Sequence, residues 1–389
     1  MADIYMDNHN QKRLWLNAAC LGDSSSNGGR LNTAEEASVL IDAYRACTEW
    51  VAGWCRVDPD RVVLTTGATD ACDIALTTRA GPPSVVIYSD LAHECTIRSV
   101  ECAADFIGAL THRTVSVVQV TISDLFHLTP EDFAAVLIER IASTGKRPGP
   151  VVVVLEHVTS LHGWRLPVAE IARHFKSSLP RAELVVDGAQ AAGLWQPPDG
   201  LECTYFGCFH KYVDGPVGTG FCVLRPGLAQ TSVRRVRASQ AWRTDDGTEH
   251  LPTTDIEKWR LCASALRSLS ARGSVAGLQA KIRQLRGEVV NQLPEEATGQ
   301  LRRVRSEYLS HIIPLDLPDA ENAAGVYQFL RHNGFGTKQV GNCIRIALHD
   351  SHDVESLTRF ALCACEAIRI EKFRRKQRRP LAVAAAGRL

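Results

Sequence analysis

Val151-Val152-Val153-Val154-Leu155 is the most apolar run in the chain, and it narrows the fold more than any other stretch. Successive strand residues point to opposite faces. A run with no polar residue on either face must therefore be covered on both, as the strands of a parallel sheet are. Similar runs precede and follow it: Arg61-Val62-Val63-Leu64, Ser84-Val85-Val86-Ile87-Tyr88, Val115 to Val120, and Leu184-Val185-Val186. Between them lie segments of helical spacing, with Ala34 to Trp54 ahead of the first strand, a helix opening at Cys72 to Leu76, then Pro130 to Ile141 and Leu166 to Phe175. Alternation of this kind from about Arg61 to Leu224 predicts an α/β domain with a mostly parallel sheet under helices on both faces. In such sheets ligands gather beyond the carboxyl ends of the strands.

Those strand ends carry most of the chemistry-bearing residues. Leu184-Val185-Val186 runs into Asp187-Gly188-Ala189-Gln190, then an aromatic, Cys-containing run reaches His210-Lys211, and a Gly-rich turn closes the stretch at Gly215 to Gly220. An Asp at a strand end and a lysine some two dozen residues on meet the needs of pyridoxal phosphate: the carboxylate keeps the pyridine nitrogen protonated, and the lysine holds the group covalently. Taken singly, Asp187 also reads as a helix cap and Lys211 as a surface residue. Thr65-Thr66-Gly67-Ala68-Thr69 follows another strand and precedes a helix, where backbone N–H groups form a ready anion site. His93 and Ser160 also follow predicted strands.

DGAQ, then HK, then GPVGTG, in this order and spacing, resembles the class V aminotransferase family of fold-type I enzymes, which includes cysteine desulfurases, isopenicillin N epimerase-like proteins and C–S lyases. The resemblance covers most of the chain and implies a pyridoxal 5'-phosphate cofactor and a fold-type I large domain with a smaller α+β C-terminal domain. By that match Lys211 is catalytic. Gly67, Ala68 and Thr69 cradle the phosphate, and His93 stacks over the pyridine, although Ala92 and Glu94-Cys95 flank it where relatives read EHHAN, and a solvent-facing loop histidine is the alternative. Ser160, in the HVTS turn, sits near the phenolic oxygen or the substrate; Asp187, Gln190 and His210 complete the cofactor set. Thr254 (or Thr253) matches a threonine reaching a neighbouring subunit's phosphate, which implies a homodimer. Asn17, in Leu16-Asn17-Ala18-Ala19, matches a substrate loop, with a surface loop after an edge strand as the other reading. Arg345 matches an arginine for the substrate carboxylate, a role its planar fork suits; a salt-bridged surface residue is the alternative. Cys208-Phe209 stands where relatives have Ser-Gly, and a thiol is a weaker donor to phosphate.

The implied boundaries are an N-terminal substrate-loop segment over 1–30, a large cofactor domain over 31–290, a small domain over 291–372 and a basic tail over 373–389. At 389 residues the chain has room for more than one domain. A net charge of +1 gives no electrostatic case for nucleic acid or an anionic membrane as partner. No apolar run approaches the roughly 20 residues that span a bilayer, and the N-terminus lacks the pattern of a signal peptide, so a cytoplasmic location is expected. The thirteen cysteines form no regular framework and read as reduced, mostly buried residues; no metal site is expected.

A small-molecule amino-acid substrate follows from the family, and the branch is read from what is missing. Desulfurases carry a mobile loop with a catalytic Cys (a pattern like RxGxHC) before the arginine, whereas Asn333 to Asn342 here contains none, and Cys343 lies in the apparent strand itself. The expectation is a C–S β-lyase on an S-substituted cysteine in small-molecule or natural-product biosynthesis, releasing thiol, pyruvate and ammonia. Epimerisation, transamination or decarboxylating deamination on the same cofactor is the alternative. A catalytically inactive scaffold or binding subunit is the reading from another class.

Overall fold

The computed structural model describes residues 4–5, 33–78, 82–144, 150–228, 242–243, 249–250 and 255–386. One compact unit comprises His9–Ser160 and Arg165–Val275; the other comprises Met1–Asn8, Leu161–Trp164 and Ala276–Leu389. Taken along the chain, the strands are β1 (Ile4–Tyr5), β2 (Val62–Thr65), β3 (Val85–Ser89), β4 (Ser116–Val120), β5 (Val151–Glu156), β6 (Ala182–Asp187), β7 (Thr204–Cys208) and β8 (Gly220–Val223). The short pieces β9 (Trp242–Arg243) and β10 (Glu249–His250) follow, then β11 (Ile312–Asp316), β12 (Phe335–Gly336), β13 (Lys338–Val340) and β14 (Cys343–Ala347).

The larger unit is built on a seven-stranded sheet in the order β2-β8-β7-β6-β5-β3-β4. Only β8 runs antiparallel, to β2 on one side and β7 on the other; the pairings β7–β6, β6–β5, β5–β3 and β3–β4 are parallel. The mostly parallel α/β sheet expected from the apolar runs is the sheet observed. Its reversal at β8 follows from the Gly215 to Gly220 turn, which brings the chain straight back along β7.

Alternation gives the sheet two apolar faces. On one, Val152, Val154, Val185, Phe206 and Cys222 pack in a common core with Ile74 and Leu76 of helix Ala68–Thr77 and Val100 of helix Glu94–Thr111. On the other, Tyr205 and Phe221 meet Trp54 of helix Thr33–Cys55 edge-on, with ring centroids 5.9 and 6.2 Å away. Phe209 joins this second cluster, 5.3 Å from Phe221 and 6.3 Å from Trp50. The bulk that replaces a glycine before His210 thus fills an aromatic core.

The second unit has a three-stranded antiparallel sheet, β11-β14-β13, and the pair β1–β12. Its last helix, Val354–Ala386, runs through the basic stretch, where Lys372 pairs with Glu296, Arg374 with Glu371 and Arg375 with Asp319. Among the described residues no helix is long and apolar enough to cross a membrane, the cysteines are unpaired, and no cluster of His, Cys, Asp and Glu is arranged to hold a metal ion.

Candidate functional site

The carboxyl ends of the parallel strands converge on Asp187. This residue closes β6, is 7% exposed, and accepts hydrogen bonds from Thr96 Oγ1 (3.0 Å) and from the backbone N–H of Ala189 (2.8 Å). Both donors hold the carboxylate in one orientation. Gly188 is needed in between because the Tyr205 ring passes against it, leaving no room for a Cβ. Tyr205 in turn hydrogen-bonds its hydroxyl to His157 Nδ1 at 3.0 Å. Burial, helped by the charge of Arg165, pushes the His157 imidazole down to about 3, so the ring is neutral where it meets the phenol.

Gln190, 5% exposed, follows in the same segment, and its buried Oε1 has no hydrogen-bond partner among the described residues. Cys208, at the end of β7, turns its thiol towards the Ala189 carbonyl (3.8 Å) and is pushed up to about 11 by burial. It is therefore a neutral thiol whose hydrogen is directed at the backbone of the Asp187 loop. His210 and Lys211 come next, both half-buried. The loop that holds them is tight: Phe209 N–H donates to the Thr219 carbonyl and Gly215 N–H to the Phe209 carbonyl. Asp214 adopts φ 64°, a left-handed turn position. His210 Nδ1 is buried without a partner among the described residues. Burial and the neighbouring Lys211 ammonium push this imidazole down to about 4.

The strand–turn–helix at Gly67 is a cradle. Gly67 is the N-cap of helix Ala68–Thr77 at φ 146°, with no side chain to occupy the first amides, and open space lies where its Cβ would be. First-turn N–H groups have no acceptor within their own helix. Asp70 instead reaches back to Thr66, accepting from its N–H (2.9 Å) and Oγ1 (3.1 Å), which braces the turn. Gly220 lies directly against Gly67, so the Gly-rich turn after Lys211 abuts the cradle. Lys258, from helix Ile256–Ala271, brings its ammonium against the same Gly-rich turn: a Cβ added at Gly218 would lie 2.5 Å from its Nζ and 3.7 Å from the Thr66 carbonyl oxygen.

His93 is the N-cap of helix Glu94–Thr111, and its Nδ1 accepts from Cys95 N–H at 3.1 Å. That bond leaves the hydrogen on Nε2 and sets the ring at the end of β3, one turn before Thr96. Ser160 lies past β5 on the segment after His157. The larger unit thus contains Gly67, Ala68, Thr69, His93, Ser160, Asp187, Gln190, Cys208, His210 and Lys211, with Asp187 and Cys208 the last residues of their strands and the rest beyond strand ends. Arg345 belongs to the other unit, where it is 3% exposed in the middle of β14. Asn17, Thr253 and Thr254 lie outside the described residues.

Thr96, Ser89, Tyr205, Lys258 and Glu156 carry no assigned role in the sequence reading. Glu156 alone left a legible trace, a lone carboxyl ending an otherwise apolar strand, the same signal that singles out Asp187. Thr96 and Lys258 come from helices whose approach to the site is a tertiary matter.

Comparison with known proteins places these features in a family. The model for aminotransferase class-V matches residues 17–368. Among solved structures, a complex of the cystine C–S lyase C-DES with its reaction product cysteine persulfide aligns with TM-score 0.71 and 20% identity, over 93% of this chain and 97% of that one. The Escherichia coli cysteine desulfurase CsdA aligns at TM-score 0.67 and 16% identity, over 95% of each chain. A NifS-like protein aligns at 0.66 and 16%, over 95% of this chain and 100% of that one. No curated protein matches in sequence.

Proposed function

The chain belongs to the aminotransferase class-V family, and on that premise we propose that it is a pyridoxal 5'-phosphate enzyme that cleaves the C–S bond of an S-substituted cysteine by β-elimination. The observation that carries the cofactor is the set of buried polar groups left open at these strand ends: Gln190 Oε1 and His210 Nδ1, without partners among the described residues, together with the doubly held Asp187 and the N-terminal amides of the helix that Gly67 caps without a side chain. Unpaired buried polar atoms cost stability unless a ligand meets them. This donor set fits the group: an anionic carboxylate for the ring nitrogen, a lysine amine for the aldehyde, and helix amides with the Lys258 cation for the phosphate.

When bound, the cofactor supplies an electron sink that acidifies the substrate α-carbon. The chain's residues supply the rest. Asp187 would hold the pyridine nitrogen, and Lys211 would hold the group through its amine and serve as general base for the substrate α-proton. The C–S bonding pair leaves with sulfur as thiolate, and the three-carbon remainder hydrolyses to pyruvate and ammonia. His93, one turn from Thr96, is the ring available to lie over the pyridine.

Elimination is favoured over persulfide transfer by Cys343. It is 3% exposed within β14, and burial pushes its thiol up to about 12, the state of an inert structural cysteine. The description of C-DES as a cystine C–S lyase supports the same choice. On this reading the substrate belongs to small-molecule metabolism, natural-product biosynthesis included, and the working form is a homodimer, for which sedimentation is the test. The test is incubation of cofactor-reconstituted protein with cysteine S-conjugates, following pyruvate and free thiol. Equal amounts of both are expected, with Lys211→Ala losing turnover and visible absorbance together. Epimerised or keto product without thiol would overturn the elimination, and a wild-type protein that stays colourless with pyridoxal phosphate would overturn the cofactor.

A further inference from the structure

A second buried carboxyl stands beside Asp187, and the chemistry above does not use it. Glu156 is the last residue of β5 and Asp187 the last of β6, and the two are register partners in a parallel pairing. Residues paired in this way share a sheet face, and the strands lie about 4.8 Å apart. Val154 and Val185, two positions earlier on each strand, share a core cluster and mark that face. Glu156 is 2% exposed.

The two carboxyls are treated differently by their surroundings. Asp187 receives two donors, from Thr96 and Ala189. Glu156 receives the Ser89 hydroxyl on Oε2 at 2.7 Å, with the backbone of His93 and of Glu156 itself also close to its carboxyl, while Oε1 is buried with no hydrogen-bond partner among the described residues. Two carboxyls at the ends of adjacent paired strands in a dry environment do not both ionise readily, and the charge favours the one with both donors directed at it over the one with an unpartnered buried oxygen. We infer that Glu156 is a positioning residue that carries the proton of a Glu156–Asp187 carboxyl pair, keeping the pair's single negative charge on Asp187, where a cofactor ring nitrogen would meet it.

The neighbouring groups agree. Burial first, then the charge of Asp187, pushes Glu156 up to about 7; the bonds from Ser89 and the backbone at His93 oppose this without cancelling it. From the other packed elements, Cys72 of helix Ala68–Thr77 and Tyr205 of β7 interact with Asp187 as neutral groups pushed well up by burial. His157, next along the chain, is held neutral. His93, whose backbone meets the Glu156 carboxyl, uses its Nδ1 to accept from Cys95 N–H, so none of these groups is a cation that would draw the proton off Glu156. A pyridinium brought to Asp187 would be such a cation, so cofactor binding and loss of this proton favour each other, and affinity gains with pH across pH 7.

The inference rests on the pyridoxal phosphate reading for its consequence, but the proton itself is measured on the protein alone. Infrared difference spectra of the apoprotein between pH 6 and pH 8.5 should contain the carbonyl band of a buried protonated carboxyl, lost on raising the pH and absent in Glu156→Gln. Ser89→Ala, which removes a donor to the ionised form, should carry the band to higher pH. Cofactor titrations of wild type and Glu156→Gln at both pH values should then show the affinity ratio moving about 3- to 10-fold in favour of wild type at high pH, a loss of between half and one pH unit of linkage. Glu156→Asp should restore the pH dependence. No band in wild type at pH 6, or an unchanged band in Glu156→Gln, overturns the assignment of the proton. A band that behaves as stated with a pH-independent affinity ratio overturns the coupling. Failure of wild type to take up the cofactor at either pH overturns the cofactor reading and leaves the infrared result standing.

Discussion

Tyr205 fills the space against Gly188 so completely that a Cβ on the glycine would fall into the ring and its hydroxyl. This contact joins the Asp187 loop to the strand that leads to Lys211. Gly188→Ala therefore forces the ring aside and strains the Tyr205–His157 hydrogen bond. A loss of about 1–3 kcal/mol of stability is expected, as for other overpacked sites, read from the urea midpoint. An unchanged midpoint would mean the loop yields without cost.

Thr96 holds Asp187 from a different element, and hydrogen bonds to charged groups contribute about 1.5–3 kcal/mol. Thr96→Val keeps the shape and removes the donor, so cofactor dissociation should be faster by roughly tenfold or more, with Thr96→Ser close to wild type. Equal retention in Thr96→Val and wild type would show that Ala189 alone orients the carboxylate.

Cys208-Phe209 is expected to behave as packing. Phe209→Ala removes a fully buried ring from the Trp50–Phe221 cluster and should cost about 3–5 kcal/mol, with Phe209→Leu costing clearly less. Cys208→Ser leaves a hydroxyl able to donate to the Ala189 carbonyl, so stability and cofactor retention should both stay near wild type. A large gain in cofactor affinity from Cys208→Ser would instead place this side chain on the phosphate.

Lys258 stands where an anion at the Gly67 cradle would meet a positive charge. Lys258→Met should weaken cofactor binding several-fold, most at low salt, since such attraction is screened as ionic strength rises. Binding curves at two salt concentrations check this. The same loss at both would point to packing of the lysine stem against Gly218.

Two buried groups pull the pH dependence of stability in opposite directions. His157 falls from an ordinary 6.5 to about 3. The unfolded chain therefore takes up a proton below pH 6.5 that the folded chain refuses, and stability is lost as pH falls towards 3. Glu156 rises from 4.5 to about 7; its contribution is complete below pH 4.5 and is lost as pH rises through 7. Each group adds up to about 1.4 kcal/mol per pH unit within its window. Urea denaturation from pH 4 to 8 should therefore show a shallower acid limb in His157→Gln and a shallower alkaline limb in Glu156→Gln. Limbs parallel to wild type would show that neither group is perturbed in the folded chain.

Much of the site was written locally. The apolar strands, the carboxylate that ends one of them, the Gly67 turn and the HK-then-glycine string are legible because parallel sheets bury both faces and place polar residues only where strands end. Glu156 followed the same rule but reads, in a sequence, as the start of a turn. Its importance depends on which strand lies beside β5, and that neighbour, β6, is separated from it by a helix.

Burial pattern and turn chemistry are properties of short stretches, so the class of fold, the apolar strands and the carboxylate at the end of β6 are legible in the residues alone. Packing between elements supplied the rest. It set Glu156 in register with Asp187, brought Thr96 and Lys258 in from separate helices, laid Tyr205 against Gly188, and turned Phe209 into a core of aromatic rings. Each of these is a contact between separate elements of the fold, whose energy comes from packing and from hydrogen bonds in a dry environment, and no local pattern of residues specifies it.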